Sequence, residues 1–141
     1  MKQLNLSLAK NMIEKAEKKA QEIGVPMVIT ILDDGGNLIA SHRMDDALLV
    51  SVDISQNKAW TSVAFKMPTE NLAEVGAPGG ELFGVHTTNN GRVVLFGGGI
   101  PLRVNGEIIG GVGVSGGSVE QDIQVAEAAV AEIANLEHQS L

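Results

Sequence analysis

Four groups of residues in this chain have the types and spacing to do chemistry. His86 stands shortly after the turn Gly76-Ala-Pro-Gly-Gly80 and just before Thr87, Thr88, Asn89 and Asn90. An imidazole in so polar a setting is accessible, and a lone exposed histidine is enough to take a haem iron. Lys58 lies in the segment Asp53-Ile-Ser-Gln-Asn-Lys-Ala-Trp60. A lysine among apolar neighbours is a buried anion contact, a nucleophile or, more commonly, a side chain that reaches back to water. Arg43 and Asp45 flank Met44, with Asp46 next. A guanidinium there could hold a carboxylate, and the carboxylates could move a proton, bind a cation or cap the following helix. Ser115-Gly-Gly-Ser118 opens a helix, which places backbone N–H groups at the positive end of a helix dipole and makes an anion site in principle.

Other chemistries are excluded by composition or spacing. With no cysteine there are no disulfides, thiolate metal sites or cysteine nucleophiles. The three histidines, His42, His86 and His138, have no metal-site spacing, and a scattered histidine is ordinarily structural or solvated. Gly111-x-Gly113 leads into the Ser-Gly-Gly-Ser turn rather than a strand-turn-helix of a βαβ unit, and no Gly-Lys-Ser/Thr follows a glycine loop. Neither a dinucleotide fingerprint nor a phosphate-binding P-loop is present. No Ser, His and acid grouping recommends itself as a hydrolase triad.

At 141 residues the chain is one domain by size, residues 1–141, long enough to bury a core. No run approaches the roughly 18 apolar residues that would span a bilayer, and the N-terminal segment is charged every few residues. A cytoplasmic protein is expected. The net charge of −7 argues against nucleic acid and anionic membranes as partners. Lysines concentrate in the first 24 residues and carboxylates in the last 24, so the two ends could lie side by side, or the acidic face could simply be solvated, which is the commoner case.

The elements that must position these residues follow from periodicity. Ala9, Met12, Ile13, Ala16, Ala20 and Ile23 predict a helix over 7–23, capped by Ser7 or Asn5 and ended by Gly24. Strands are predicted over 25–31 and 37–44, joined by Asp34-Gly35-Gly36-Asn37. The second carries Leu38, Ala40 and His42 on one face and Ile39, Ser41 and Arg43 on the other. A helix over 51–66 stops before Pro68, and a short helical turn follows over 69–75. Residues 82–88 read as a weak strand or an ordered loop, and 92–96, 100–104 and 107–114 as strands. Asn105-Gly106 is a strong hairpin signal. The last helix, over 118–135, opens with the capping box Ser118-x-x-Gln121. The order α-β-β-α-β-β-β-α with tight hairpins predicts an antiparallel sheet flanked by helices. Glycines crowd between Gly97 and Gly117, which implies backbone held close to a second backbone, a partner subunit or a flat ligand.

The segments Arg43-Met-Asp45, Asp53-Ile-Ser…Asn57-Lys-Ala-Trp60, Pro78-Gly-Gly-Glu-Leu-Phe-Gly84, Phe96-Gly-Gly-Gly-Ile-Pro101 and Gly113-Val-Ser-Gly-Gly-Ser-Val-Glu-Gln-Asp122 resemble the GlcG/HbpS family. Within it they are most similar to the PduO C-terminal-domain type, including stand-alone proteins of glycerol and diol (propanediol) utilisation. The resemblance runs from the first helix to the last. It implies an α+β, profilin-like fold with a central antiparallel sheet and helices on both sides. It also implies homo-oligomers, from dimer to octamer, and haem or corrinoid as the bound group. The separate adenosyltransferase domain of the PduO proteins has no counterpart here.

Three functions are open on these residues. The first is a cofactor-binding accessory protein in diol, glycerol or glycolate-type metabolism. It would hold haem or a corrinoid at Gly79, Gly80, Phe83, His86, Thr87 and Thr88, with His86 as the candidate iron ligand. Acidic groups of the cofactor would meet the backbone near Ser115 and Ser118. The second is a small enzyme acting on a hydroxy acid or related carboxylate through Arg43, Asp45, Lys58 and the Ser115–Ser118 turn. The third is an oligomeric interaction module without turnover, its glycines serving only the approach of subunits.

Overall fold

The computed structural model describes residues 4–139, and side chains through residue 135. Helix α1 spans Leu6–Ile23, capped at its start by the Asn5 side chain, which accepts from the Leu8 N–H, and at its end by Gly24 in the left-handed region. Strands β1 (Val28–Asp33) and β2 (Leu38–Arg43) form a hairpin. The Asp33 carboxylate holds its turn by accepting from the backbone N–H groups of Gly35 and Asn37. Helix α2 (Val50–Phe65) follows. A long irregular segment then leads to the hairpin of β3 (Gly99–Val104) and β4 (Glu107–Ser115). Its turn residues, Asn105 and Gly106, both have positive φ, as a two-residue hairpin loop of this kind requires. Helix α3 (Val119–Gln139) closes the chain. The sheet is antiparallel throughout, in the order β2-β1-β4-β3, and the fold is α+β.

The two faces of this sheet differ in kind. Ile29 and Ile31 of β1, Leu102 and Val104 of β3, and Val112 and Val114 of β4 bury one face against Met12, Ile13 and Ala16 of α1 and Val125, Ala126 and Ala129 of α3. Small residues on both helices let α1 and α3 lie against each other. The lysine-rich first helix is thus the neighbour of the acidic last one.

The other face meets α2; β1 sets the buried Val28 and Leu32 there on either side of Thr30, and the positions that α2 crosses on β4 are small or polar. Thr30, Gly111, Gly113 and Ser115 point toward the helix, and α2 answers with Ser51, Ser55, Lys58, Ala59 and Ser62, all buried. A Cβ on Gly113 would strike the Ser55 carbonyl oxygen, and one on Gly111 would come within 2.7 Å of the Ala59 carbonyl oxygen. Gly111 and Gly113 therefore serve backbone approach, and the second backbone is α2 of the same chain.

Three predicted elements differ. Residues 92–96 form no strand. Thr61 of α2 takes up this stretch instead: its hydroxyl donates to the Arg92 carbonyl and accepts from the Val94 N–H, so the backbone bonds of a strand ladder go to a helix side chain. The sheet accordingly has four strands among the described residues. Residues 82–88 are turns with a single 3-10 turn at Val85–Thr87, the loop alternative. Strand β1 begins at Val28 rather than at 25.

Substituting Gly113→Ala pushes a methyl into the α2 backbone, so it should destabilise the fold by about 3 kcal/mol or prevent folding. Urea denaturation checks this. A variant with an unchanged midpoint would show that α2 is not seated on β4 as described.

Candidate functional site

Lys58 does not reach water. It is fully buried, and its ammonium donates to the Val114 carbonyl and to Asp122 Oδ2, each at 2.8 Å. The Phe96 ring covers it with its centroid 5.0 Å away, although Phe96 itself is 45% exposed. The other oxygen of Asp122 accepts from the Gly117 N–H at 2.8 Å. Gly98, at φ +124, passes so close that a Cβ there would lie 2.7 Å from Lys58 Nζ. Burial pushes the Asp122 carboxyl above its ordinary range and the Lys58 amine below its own, and their mutual attraction and hydrogen bond oppose both shifts.

This arrangement changes the reading of the Ser115–Ser118 turn. The anion that the turn receives is Asp122, from the first turn of α3 itself. Ser115 is buried, and its hydroxyl donates to Ser51 Oγ at 3.0 Å. Ser118 is exposed and completes the expected capping box with Gln121: each backbone N–H is bound by the other's side chain, at 3.0 and 3.2 Å. Beyond Ser51, Thr30 Oγ1 lies 2.8 Å from both Ser41 Oγ and Ser55 Oγ. The polar groups beneath α2 thus satisfy one another.

The His86 region is a chain of tight turns. Gly79 and Gly84 have positive φ, and the Gly80 N–H donates to the Ala77 carbonyl. The Thr87 hydroxyl donates to the Gly84 carbonyl and the Thr88 hydroxyl to the Val85 carbonyl, both at 2.6 Å. His86 is exposed, with its ring 6.2 Å from that of Phe83, which is 60% exposed. The loop offers two neighbouring rings to the outside, while its hydroxyls hold its own backbone.

Arg43 and Asp45 lie elsewhere. They line a cleft of about 490 Å³ between the end of α1 and the end of β2, together with Glu17, Ala20, Val25, Pro26 and Met44. Arg43 Nε and Nη2 donate to the Ala47 carbonyl at 3.2 and 2.9 Å. Neither Asp45 nor Asp46 caps α2, whose first turn is preceded by Leu49 without a side-chain cap. Lys58 and the Ser115–Ser118 turn are absent from the cleft lining, so the structure does not assemble Arg43, Asp45 and Lys58 into one site. Beside the cleft, His42 Nδ1 lies 3.3 Å from Glu17 Oε1. Trp60 is half-buried, with the Arg92 guanidinium 4.5 Å over its ring.

Two partners escaped sequence reading, Asp122 for Lys58 and Glu17 for His42. They stand 64 and 25 residues from those groups, and only the packing of helix against sheet brings them together. The one available signal for Asp122 was its place in the first turn after a glycine-serine cap, where a carboxylate meets free N–H groups.

Lys58→Met should strand a buried carboxylate and destabilise the protein by about 3–5 kcal/mol at pH 7. With the ammonium gone, burial raises the Asp122 carboxyl further above 3.8. A carboxyl raised by folding is protonated more readily in the folded than in the unfolded chain. Its contribution is most favourable at low pH and is lost as pH rises through the folded value. The deficit of Lys58→Met relative to the unsubstituted chain should therefore shrink between pH 7 and pH 4. Lys58→Met/Asp122→Asn should lose less than the sum of the single changes. Equal deficits at both pH values with additive losses, measured by urea denaturation, would show that the two groups do not act as a pair.

Known proteins share this architecture closely. An uncharacterized 15.0 kDa protein from the dhaT–dhaS intergenic region of Citrobacter freundii is 47% identical over 127 residues, covering 90% of this chain and 89% of that one. The corrinoid adenosyltransferase PduO of Salmonella typhimurium is 48% identical over 118 residues, 84% of this chain; the match spans only 35% of that longer protein. The crystal structure of a PduOC–heme complex superposes with a TM-score of 0.88 at 43% identity, covering 92% of this chain and 94% of that one. The family model described as haem degrading protein HbpS-like matches residues 4–131, and the chain belongs to that HbpS-like family.

Proposed function

We propose that this protein is a haem-binding accessory protein of diol or glycerol metabolism. The observation that carries the reading is the likeness, over nearly the whole of both chains, to a domain crystallised with heme. The residues present suit such a ligand. Among the described residues two imidazoles reach the surface, His42 and His86, and either ring could take an iron. Phe83 beside His86, and the apolar walls Ala20, Val25, Pro26 and Met44 of the α1–β2 cleft, offer surface for a flat macrocycle. Arg43 can meet an acidic substituent. When bound, haem supplies a redox-active iron. The protein's own part is to hold the ring, orient an imidazole and limit access of water. A corrinoid, a flat ring of similar breadth, would meet the same residues. Adenosyl transfer forms no part of the proposal, because the match to PduO covers about a third of that enzyme.

The diol and glycerol setting is supported by the dhaT–dhaS and PduO relatives. A second reading, self-assembly into a homo-oligomer, is favoured by one observation. Leu48, Leu49 and Val50 at the start of α2 are 59%, 74% and 58% exposed, an apolar run in the place where capping residues usually stand.

Titration of the full chain with haemin should give a saturable, stoichiometric Soret band, with a corrinoid run in parallel. No saturable binding of haemin would overturn the haem reading. For assembly, Leu49→Asp should lower the sedimentation-derived mass if α2 contributes to an interface. An unchanged mass would remove α2 from it.

A further inference from the structure

We propose that β2 is an assembly edge of this protein: it pairs antiparallel with β2 of a second copy of the chain, with His42 at the two-fold axis. The proposal rests on the self-assembly reading above and names a surface through which copies meet.

Its first support is the contrast between the two edges of the sheet, β2 and β3. An edge strand turns alternate N–H and C=O groups outward, a row that invites another strand unless it is blunted. On β3 the row is blunted. The Val114 N–H donates to the Gly98 carbonyl, so by alternation Gly99 and Pro101 face away from β4. The Thr69 hydroxyl accepts from the Gly99 N–H at 3.0 Å, and Pro101 has no N–H to offer. On β2 the row is open. The Met44 N–H donates to the Met27 carbonyl at 3.0 Å, and the register runs on through Val28↔Arg43 and Thr30↔Ser41, so Ser41 and Arg43 face away from β1. Both residues are exposed, and the strand Leu38–Arg43 holds no proline. The outward backbone groups of Ser41 and Arg43 have no partner among the described residues.

The second support is that this edge complements itself. The register shift between Ile31 and Leu32 makes Ile39 an extra residue on β2, which ends the regular edge there and leaves Ser41 and Arg43 as its outward residues. One antiparallel register uses both residues of both copies: Ser41 of each exchanges its backbone bonds with Arg43 of the other. That register sets His42 opposite His42 of the second copy, on the axis of an isologous pair. On the other face of the strand a serine then stands opposite a guanidinium, and the strand itself carries no carboxylate. The exposed run Leu48–Leu49 lies at the same end of β2. It follows Ala47, whose carbonyl accepts from the Arg43 guanidinium, so it borders the same interface. The plain alternative is a solvated edge, kept from pairing by its short length and its charged end. That alternative gives no register-specific contact between copies.

Cysteine cross-linking of the full chain reads the register directly, because the chain has no cysteine of its own. Residues opposite each other in a non-hydrogen-bonded pair have Cα atoms about 4.5 Å apart, within the disulfide range of about 4.4–6.8 Å. His42→Cys should therefore give a disulfide-linked dimer under mild oxidation. Leu38→Cys is exposed on the same strand but about 25 Å from its counterpart in this register, and should not. Ser41→Lys, which sets an ammonium opposite the guanidinium, should cut the sedimentation-derived mass to half or less, whereas Ser41→Ala should keep it. The alanine variant loses the same hydrogen bond to Thr30, so it separates the edge from the hydroxyl. A His42→Cys dimer that forms no faster than that of Leu38→Cys would overturn the β2 assignment and leave assembly to the start of α2. So would an unchanged mass in Ser41→Lys, or an equal loss in Ser41→Ala. A protomer mass for the unsubstituted chain at every concentration would instead overturn the self-assembly reading, and this assignment with it, and leave the open edge to a strand of a different protein.

Discussion

The contact between the α2 backbone and the backbone of β4 is the constraint on which the rest of this structure depends. Gly111 and Gly113 allow it, since a side chain at either position would strike the helix's own carbonyls. Once α2 is that close, no side chain fits between the helix and β4 at those two positions. The groups that face inward must be short, and their hydroxyls must satisfy one another, as Thr30, Ser41 and Ser55 do and as Ser51 and Ser115 do. The long exception is Lys58. It runs past Gly98 to the first turn of α3 and finds in Asp122 the carboxylate that its burial requires. Asp122 in turn receives the Gly117 N–H, so one ion pair joins α2, the end of β4 and the start of α3.

This division explains why the apolar residues at the start of α2 lie outside. Cohesion of the ordinary kind comes from the opposite face of the sheet, where isoleucine, valine and methionine pack between β1, β4 and the α1–α3 pair. On its own face α2 buries serine, threonine and lysine and leaves Leu48, Leu49, Val50 and Val52 outside. The exposed apolar residues are thus confined to the approach and first turn of α2, and further along its outer side carries Asp53, Gln56 and Asn57.

The legibility of the chain from sequence follows the range of the interactions involved. The Asn5 and Gly24 caps, the Asn105-Gly106 hairpin and the Ser118–Gln121 box are settled within a few residues of themselves, and the structure shows them where the sequence expects them. The buried side of α1 was legible too, because a helical apolar stripe states which side is buried, whereas the alanines around α3 left its neighbours open. Residues 92–96 misled because β-branched residues in an extended run look alike whether they pair with a strand or are held by a threonine hydroxyl of a helix. Lys58 misled for a related reason. Of its readings the commoner one, a side chain reaching water, gives way to the buried anion contact, because α3 brings Asp122 from 64 residues away. Of the candidate site, residue types were readable but groupings were not. Arg43 and Asp45 do share a cleft, yet Lys58 belongs to the interior and Ser115 to the hydroxyl network.

The same logic says where ligand chemistry can lie. A group whose hydrogen bonds are complete inside the protein must break them to meet a ligand, and for a buried ion pair that loss is large. The Lys58–Asp122 pair and the serines under α2 are therefore poor recognition groups, however chemically capable their side chains look in sequence. Groups at the rim are in the opposite condition. His42 has one nitrogen held and the other without a partner among the described residues, and Arg43 has part of its guanidinium occupied and part left over. A half-satisfied side chain on a rigid element is already oriented and still has valence to offer, which makes it cheaper to recruit than a fully solvated or a fully buried one. In this fold Arg43 lines the cleft where the end of α1 meets the end of β2, and His42 stands next to it in sequence on the other face of the same edge strand.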